Sequence, residues 1–119
     1  IPQGAIISDS MNLPFVYVRN KPKGHGLGNQ IEGRIKPGQK VVVVEDLVST
    51  GKSSLEAVQA LRDVGCEVIG MVAIFTYGFD KTYQIFEEMN VPLWTISDYQ
   101  TLKSIKIELP EFQPELNHV

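Results

Sequence analysis

The sequence lacks most of the features that would place it in a membrane, on a nucleic acid or in an oxidising compartment. Cys66 is the only cysteine among 119 residues, so neither an internal disulfide nor a cysteine-built zinc site can form. Positive charge is not in excess. The 11 Lys and Arg stand against 14 Asp and Glu, for a net charge of -3, which argues against a bulk electrostatic grip on nucleic acid or an anionic membrane. No apolar run approaches the length of a membrane span. No basic-then-apolar leader with a cleavage site is visible, and the expected location is the cytoplasm. Internal repeats and low-complexity tracts are absent. An initiator methionine is absent too: the chain begins Ile1-Pro2, inside what reads as an element. The expectation is a piece of something longer.

What is present is the makeup of one globular domain over residues 1–119, with 43% hydrophobic and 21% charged residues. Such a chain buries roughly two-thirds of its unfolded surface, enough for one core. The spacing predicts a short helix over 3–12, carrying Ala5, Ile6 and Met11. Pro14 then introduces a strand, Phe15 to Val18, ending at Arg19. Residues 20–40 hold Gly24, Gly26, Gly28 and Gly33 among Lys21, Lys23, Arg34, Lys36 and Lys40, which predicts a long, basic, mobile loop, with 20–34 as its functional part. Ile35 to Gly38 is a turn into the next strand.

Val41–Val44 is an unbroken apolar run, as expected of a parallel strand buried on both faces and ending at Glu45-Asp46. Residues 53–64 read as a helix with Leu55, Val58 and Leu61 as its stripe, Ala57 and Val64 widening it and Gly65 stopping it. Ser53-x-x-Glu56 has the form of a capping box. A strand over Val68–Tyr77, a helix over 81–89, a strand over Val91–Ile96 and a helix over 98–106 follow, then a polar tail. Trp94 and Phe75 fall in strand patterns and are assigned to the core. Met71 and Met89 read as gap-fillers and Cys66 as a small half-buried hydrophobe. Strands alternating with helices predict an α/β fold with an open, doubly wound, mainly parallel sheet.

The chemistry concentrates in residues 41–54, VVVVEDLVSTGKSS. In open parallel sheets ligands lie beyond the carboxyl ends of the strands, where Glu45 and Asp46 are expected. Two adjacent carboxylates repel unless something pairs with them; sugar hydroxyls or a divalent cation would. Ser49-Thr50-Gly51-Lys52-Ser53 then forms a small, hydroxyl-rich turn opening a helix, whose N–H groups and dipole favour an anion. Gly51-Lys52-Ser53 is not a nucleotide P-loop, because Asp46 occupies the position of that motif's first glycine. Acids beside a phosphate cradle suit a ribose 5-phosphate. Cations on a glycine-rich loop fit either a solvated, charged surface excursion or the neutralisation of a leaving polyanion, and spacing alone does not choose between them.

VVVVEDLVSTGKS resembles the phosphoribosyl pyrophosphate signature of type I phosphoribosyltransferases. Tyr17-Val18-Arg19, Lys23-Gly24-His25-Gly26 and Gly28-Asn29-Gln30-Ile31-Glu32-Gly33 resemble the orotate phosphoribosyltransferases within that superfamily. The likeness runs from Ile1 to about Tyr99. It implies a C-terminal portion of such an enzyme, forming orotidine 5′-monophosphate and pyrophosphate from orotate and phosphoribosyl pyrophosphate in de novo pyrimidine synthesis. By this resemblance Glu45 and Asp46 hold the ribose, with Asp46 catalytic. Leu47, Val48, Ser49, Thr50, Gly51, Lys52 and Ser53 bind the substrate, Ser49–Ser53 anchoring its 5-phosphate, and Ser49 also touches orotate. Arg19, Lys23 and His25 contact pyrophosphate across a homodimer, on a loop reaching the neighbouring site, and Lys23 and His25 are catalytic. Mg²⁺ arrives with the substrate rather than in a protein cage. Asn20 stands where many members have a second basic residue. The stretch Phe75 to Gly78 has no arginine for the orotate carboxylate. With the sequence before Ile1 missing, these 119 residues are expected to bind phosphoribosyl pyrophosphate weakly and not to turn over alone. A purine phosphoribosyltransferase and a non-catalytic sensor of phosphoribosyl pyrophosphate are the alternatives.

Overall fold

The computed structural model describes residues 2–19 and 30–108. The elements run α1 (Pro2–Met11), β1 (Tyr17–Val18), β2 (Ile31–Glu32), β3 (Lys40–Val48), α2 (Lys52–Asp63), β4 (Glu67–Thr76), α3 (Asp80–Glu88), β5 (Leu93–Asp98) and α4 (Tyr99–Glu108). β3, β4 and β5 form a parallel sheet in that order, and β1 and β2 form a separate antiparallel ribbon. The fold is α/β with a parallel main sheet, as the alternation of patterns predicts.

Two βα units build the core. The stripe of α2 predicted from spacing is the stripe buried: Leu55, Val58 and Leu61 pack with Phe86 of α3 against Val48, Val68, Met71 and Ala73 of the sheet. Val64 does not widen it and is exposed, since the helix has already ended at Asp63. Gly65, at φ 91°, reverses the chain and lies against Pro37, so the turn before β3 and the turn before β4 pack together. Cys66 is buried there, its Sγ 3.8 Å from the Lys36 carbonyl oxygen. Met71 is fully buried and Met89 packs against the same core.

The opposite face of the sheet is apolar and open, which corrects two expectations. β3 is not buried on both faces: Val42 is 48% exposed. Trp94 is not core either: it is 54% exposed, its ring lying over Gly70, where a Cβ would come within 2.5 Å of it. Phe75 is half-buried. The buried residues of α2 and α3 lie on the other side. Pairing also shifts between Val41 and Val42, with Val41 opposite Val68 and Val42 opposite Gly70. Ile69 is thereby the extra residue of a bulge.

Strand limits differ from the pattern for local reasons. β1 is only Tyr17–Val18, because the Phe15 ring turns back onto Gly4 of α1, where an added Cβ would meet it at 2.5 Å. β5 begins at Leu93 rather than Val91. Pro92 has no N–H for a ladder, and it contributes its carbonyl to the Met71 N–H at 2.8 Å. The expected loop over 20–34 is a strand at Ile31–Glu32; residues 20–29 lie outside the described residues.

β5 hands directly to α4 through Asp98, whose Oδ1 accepts the Thr101 N–H at 2.8 Å. The hydrogen bond from the Thr101 backbone, joined by its side chain, holds the Asp98 carboxyl below the usual 3.8. A depressed folded-state pKa means stability that is present above the ordinary value and lost as pH falls through the lowered one. Asp98→Ala is therefore expected to lower the melting temperature at neutral pH. The gap to the parent should close as the medium is acidified below pH 3.8, as thermal melts across pH will read.

Candidate functional site

The sequence expects the two acids beyond β3. The strand instead continues through them to Val48, with Glu45 opposite Ala73, Leu47 opposite Phe75 and Val48 opposite Thr76. Successive strand residues point to opposite faces, so the two carboxylates part company. Glu45 is half-buried and turns toward α2, where its Oε2 accepts the Ser54 hydroxyl at 2.6 Å. Asp46 is exposed, and one of its oxygens accepts the Leu47 N–H at 2.7 Å. The electrostatic conflict of adjacent acids is thus relieved by strand geometry, and Asp46 is the one presented to solvent.

The turn after the strand is braced from beneath. Val48 is fully buried, so its side chain belongs to the core. Its carbonyl oxygen accepts the Thr76 hydroxyl at 2.9 Å and the Tyr77 N–H at 3.3 Å. One residue on, the Ser49 carbonyl oxygen accepts the hydroxyl of buried Thr82, on α3, at 2.8 Å. Thr82→Val keeps the shape but leaves that carbonyl unpaired. The expected loss is about 1–2 kcal/mol, measured by urea unfolding.

Gly51 is the N-cap of α2 at φ 88°, with its carbonyl bonded to the Leu55 N–H at 2.8 Å. It makes no side-chain cap, so the capping box predicted from Ser53 and Glu56 does not form: Ser53 lies inside the helix. The Lys52 N–H has a 3.4 Å contact to the Thr50 hydroxyl oxygen. The helix thus opens with first-turn N–H groups that Gly51 leaves uncapped, beneath exposed Ser49, Thr50, Lys52 and Ser53. These side chains and that dipole can accept a phosphate.

The structure brings Glu45 through Ser53 into one continuous strand, turn and helix start. Arg19 lies on the separate ribbon, at the end of β1, with its Nε 2.8 Å from Glu32 Oε1. Lys23 and His25 lie outside the described residues. Sequence reasoning missed Ser54, Thr82 and Glu32. Their partners are 9, 33 and 13 residues away, too distant for a local pattern to expose. Among the described residues no three His, Cys, Asp or Glu side chains gather to hold a metal ion. Of the two acids, only exposed Asp46 offers a hard oxygen to solvent, which fits a magnesium ion held by a ligand's phosphates better than one in a protein cage. A cleft lined by Tyr83, Phe86, Glu87, Asn90 and Val91 to Leu93 lies at the amino end of β5 and contains none of the candidate residues. No helix among the described residues is long and apolar enough to cross a membrane.

Residues 1–91 match the phosphoribosyl transferase domain model. The chain is 56% identical over 115 residues to an orotate phosphoribosyltransferase of Bacteroides fragilis, covering 97% of this chain and 54% of that protein. It superposes on orotate phosphoribosyltransferase from Aeropyrum pernix with a TM-score of 0.80 at 28% identity, covering 92% of this chain and 60% of the other. Orotate phosphoribosyltransferase of Mycobacterium tuberculosis in complex with 5-phospho-alpha-D-ribosyl 1-diphosphate matches at 34% identity and a TM-score of 0.55, over 61% of this chain and 44% of that one. The chain spans about half the length of the curated relatives it matches.

Proposed function

The chain belongs to the phosphoribosyl transferase family, and from that premise we propose that it carries the ribose, phosphate and pyrophosphate contacts of an orotate phosphoribosyltransferase. The reaction moves the 5-phosphoribosyl group from phosphoribosyl pyrophosphate to orotate, yielding orotidine 5′-monophosphate and pyrophosphate for pyrimidine synthesis in the cytoplasm. The observation that carries this is the braced Ser49–Ser53 turn following Asp46, in a chain 56% identical to an enzyme of that name.

The turn would anchor the 5-phosphate on the first-turn N–H groups of α2 and on its hydroxyls. Asp46, with Glu45 behind it, would accept hydrogen bonds from the ribose hydroxyls and fix the ring. The bond from the anomeric carbon to pyrophosphate breaks with its electrons leaving on oxygen. The orotate ring nitrogen supplies the new bond and loses its proton. Arg19, Lys23 and His25 would neutralise the departing pyrophosphate, His25 being able to donate a proton near neutral pH. In the homodimer proposed here the loop bearing them serves the neighbouring site. Asp46 lies where a magnesium ion brought in with the substrate would sit, and such an ion would supply further charge neutralisation.

The test is an assay of the complete protein with phosphoribosyl pyrophosphate, magnesium and one of orotate, adenine or xanthine, following loss of the free base. Orotate alone should be consumed. Consumption of a purine would move the assignment to the purine enzymes. Binding of phosphoribosyl pyrophosphate with no base consumed would mark a sensor.

A further inference from the structure

The β1–β2 ribbon has two unlike faces. Val18 pairs with Ile31 and both pack against the main core, while Tyr17 pairs with Glu32. Alternation puts Arg19 on the same side as Tyr17 and Glu32, away from the core. The two ends of the ribbon are tied. The Arg19 N–H donates to the Gln30 carbonyl at 2.6 Å, and Gly33, at φ 117°, lets the return strand close on Val16, whose Cγ1 would be 2.9 Å from an added Cβ. On this fixed base Arg19 Nε donates to Glu32 Oε1 at 2.8 Å, the one ion pair among the described residues.

That bond has a particular form. It uses Nε and leaves the outer pair of guanidinium nitrogens without a partner among the described residues. Both side chains are more than one-third exposed, at 37% and 41%, and exposed pairs of this kind contribute little to stability. What such a bond does supply is orientation. A free arginine samples many rotamers, and a planar guanidinium fixed at Nε presents its remaining fork in one direction, the geometry with which arginine grips phosphate oxygens in pairs.

We propose that Glu32 is a positioning residue: it holds Arg19 with its outer fork aimed at the pyrophosphate of phosphoribosyl pyrophosphate. This rests on the proposed function, in which Arg19 contacts that group. Glu32 acts through its acceptor oxygen. Its negative charge, close to where a polyanion binds, works against affinity, so an uncharged acceptor of the same shape should serve equally well.

The test compares two ligands on the complete protein by calorimetric titration with magnesium present. Ribose 5-phosphate reads the Ser49–Ser53 turn, and phosphoribosyl pyrophosphate reads the turn together with Arg19. Glu32→Ala should weaken phosphoribosyl pyrophosphate roughly 5- to 10-fold, on the scale of a charge-assisted hydrogen bond put at risk, and leave ribose 5-phosphate unchanged. In steady-state kinetics kcat/KM for phosphoribosyl pyrophosphate should fall while the KM for orotate holds. Glu32→Gln, which can still accept from Arg19, should bind at least as tightly as the parent. The inference is overturned if Glu32→Ala binds phosphoribosyl pyrophosphate like the parent, if it weakens both ligands equally, or if Glu32→Gln is as impaired as Glu32→Ala. A parent protein that binds neither ligand would instead overturn the functional reading beneath it.

Discussion

Gly51→Ala is expected to lose about 2–5 kcal/mol of folding stability and to weaken ribose 5-phosphate binding more than tenfold. The stability figure combines two costs. An L-residue held in the left-handed region, where Gly51 sits at φ 88°, costs about 1–2 kcal/mol. Forcing a methyl into packed surroundings costs about 1–3 kcal/mol, and the new Cβ would stand 2.7 Å from Phe86 Cε1 and 3.4 Å from Thr82 Cγ2. The binding loss follows from the same place. Gly51 sets the direction of the first turn of α2, so any shift that relieves Phe86 moves the N–H groups proposed to bind the phosphate. Chemical denaturation and calorimetry read the two effects separately. Measured in the Phe86→Leu background, which carries its own cavity cost, Gly51→Ala should lose only the backbone part. No loss in that background would show that the positive φ costs nothing, contrary to this account.

Asp46→Asn is expected to lower kcat/KM of the complete protein about 100-fold, corresponding to about 2.7 kcal/mol of transition-state stabilisation, with little change in melting temperature. Asp46 is exposed and bonded only to the neighbouring Leu47 N–H, a contact the asparagine oxygen can keep. Under the proposed reaction, what is lost is negative charge beside a ribose becoming cationic at its anomeric carbon. Glu45→Gln should behave in the opposite sense. Its carboxylate is committed to the Ser54 hydroxyl, so the change should be felt more in stability and less in turnover. Equal kinetic losses from both substitutions would mean that the two acids act as one unit despite facing different sides of β3.

Much of this was legible before any coordinates, and the reasons differ from element to element. The stripe of α2 and the order of strands and helices follow from periodicity, which is a local property. The acids and the hydroxyl-rich turn were legible because their chemistry lies in one run of chain. The missed features are those in which distant chain settles the outcome. β3 runs past the acids because β4 offers pairing as far as Thr76, which nothing in Val41–Asp46 discloses. The apparent capping box fails because Gly51 has already started the helix with its own positive φ. Trp94 has the residue type of a core position, yet it sits on the sheet face that α2 and α3 leave open. Thr82 reaches Ser49 across 33 residues, and no spacing rule links a threonine early in one helix to the carbonyl of a turn so far upstream.

The seam where Pro37 rests on Gly65 and Cys66 lies beneath it offers a clock for the molecule's openings. With the chain's only thiol buried at 6% exposure, a labelling reagent can react only in the moments when the turn before β3 lifts from the start of β4. The labelling rate then measures how often that corner breathes, against amide exchange deeper in the sheet as the slower hand. Because the corner lies at the amino end of β3 and the Ser49–Ser53 turn at the carboxyl end, a ligand at that turn that slows the labelling at Cys66 must tighten the strand between them.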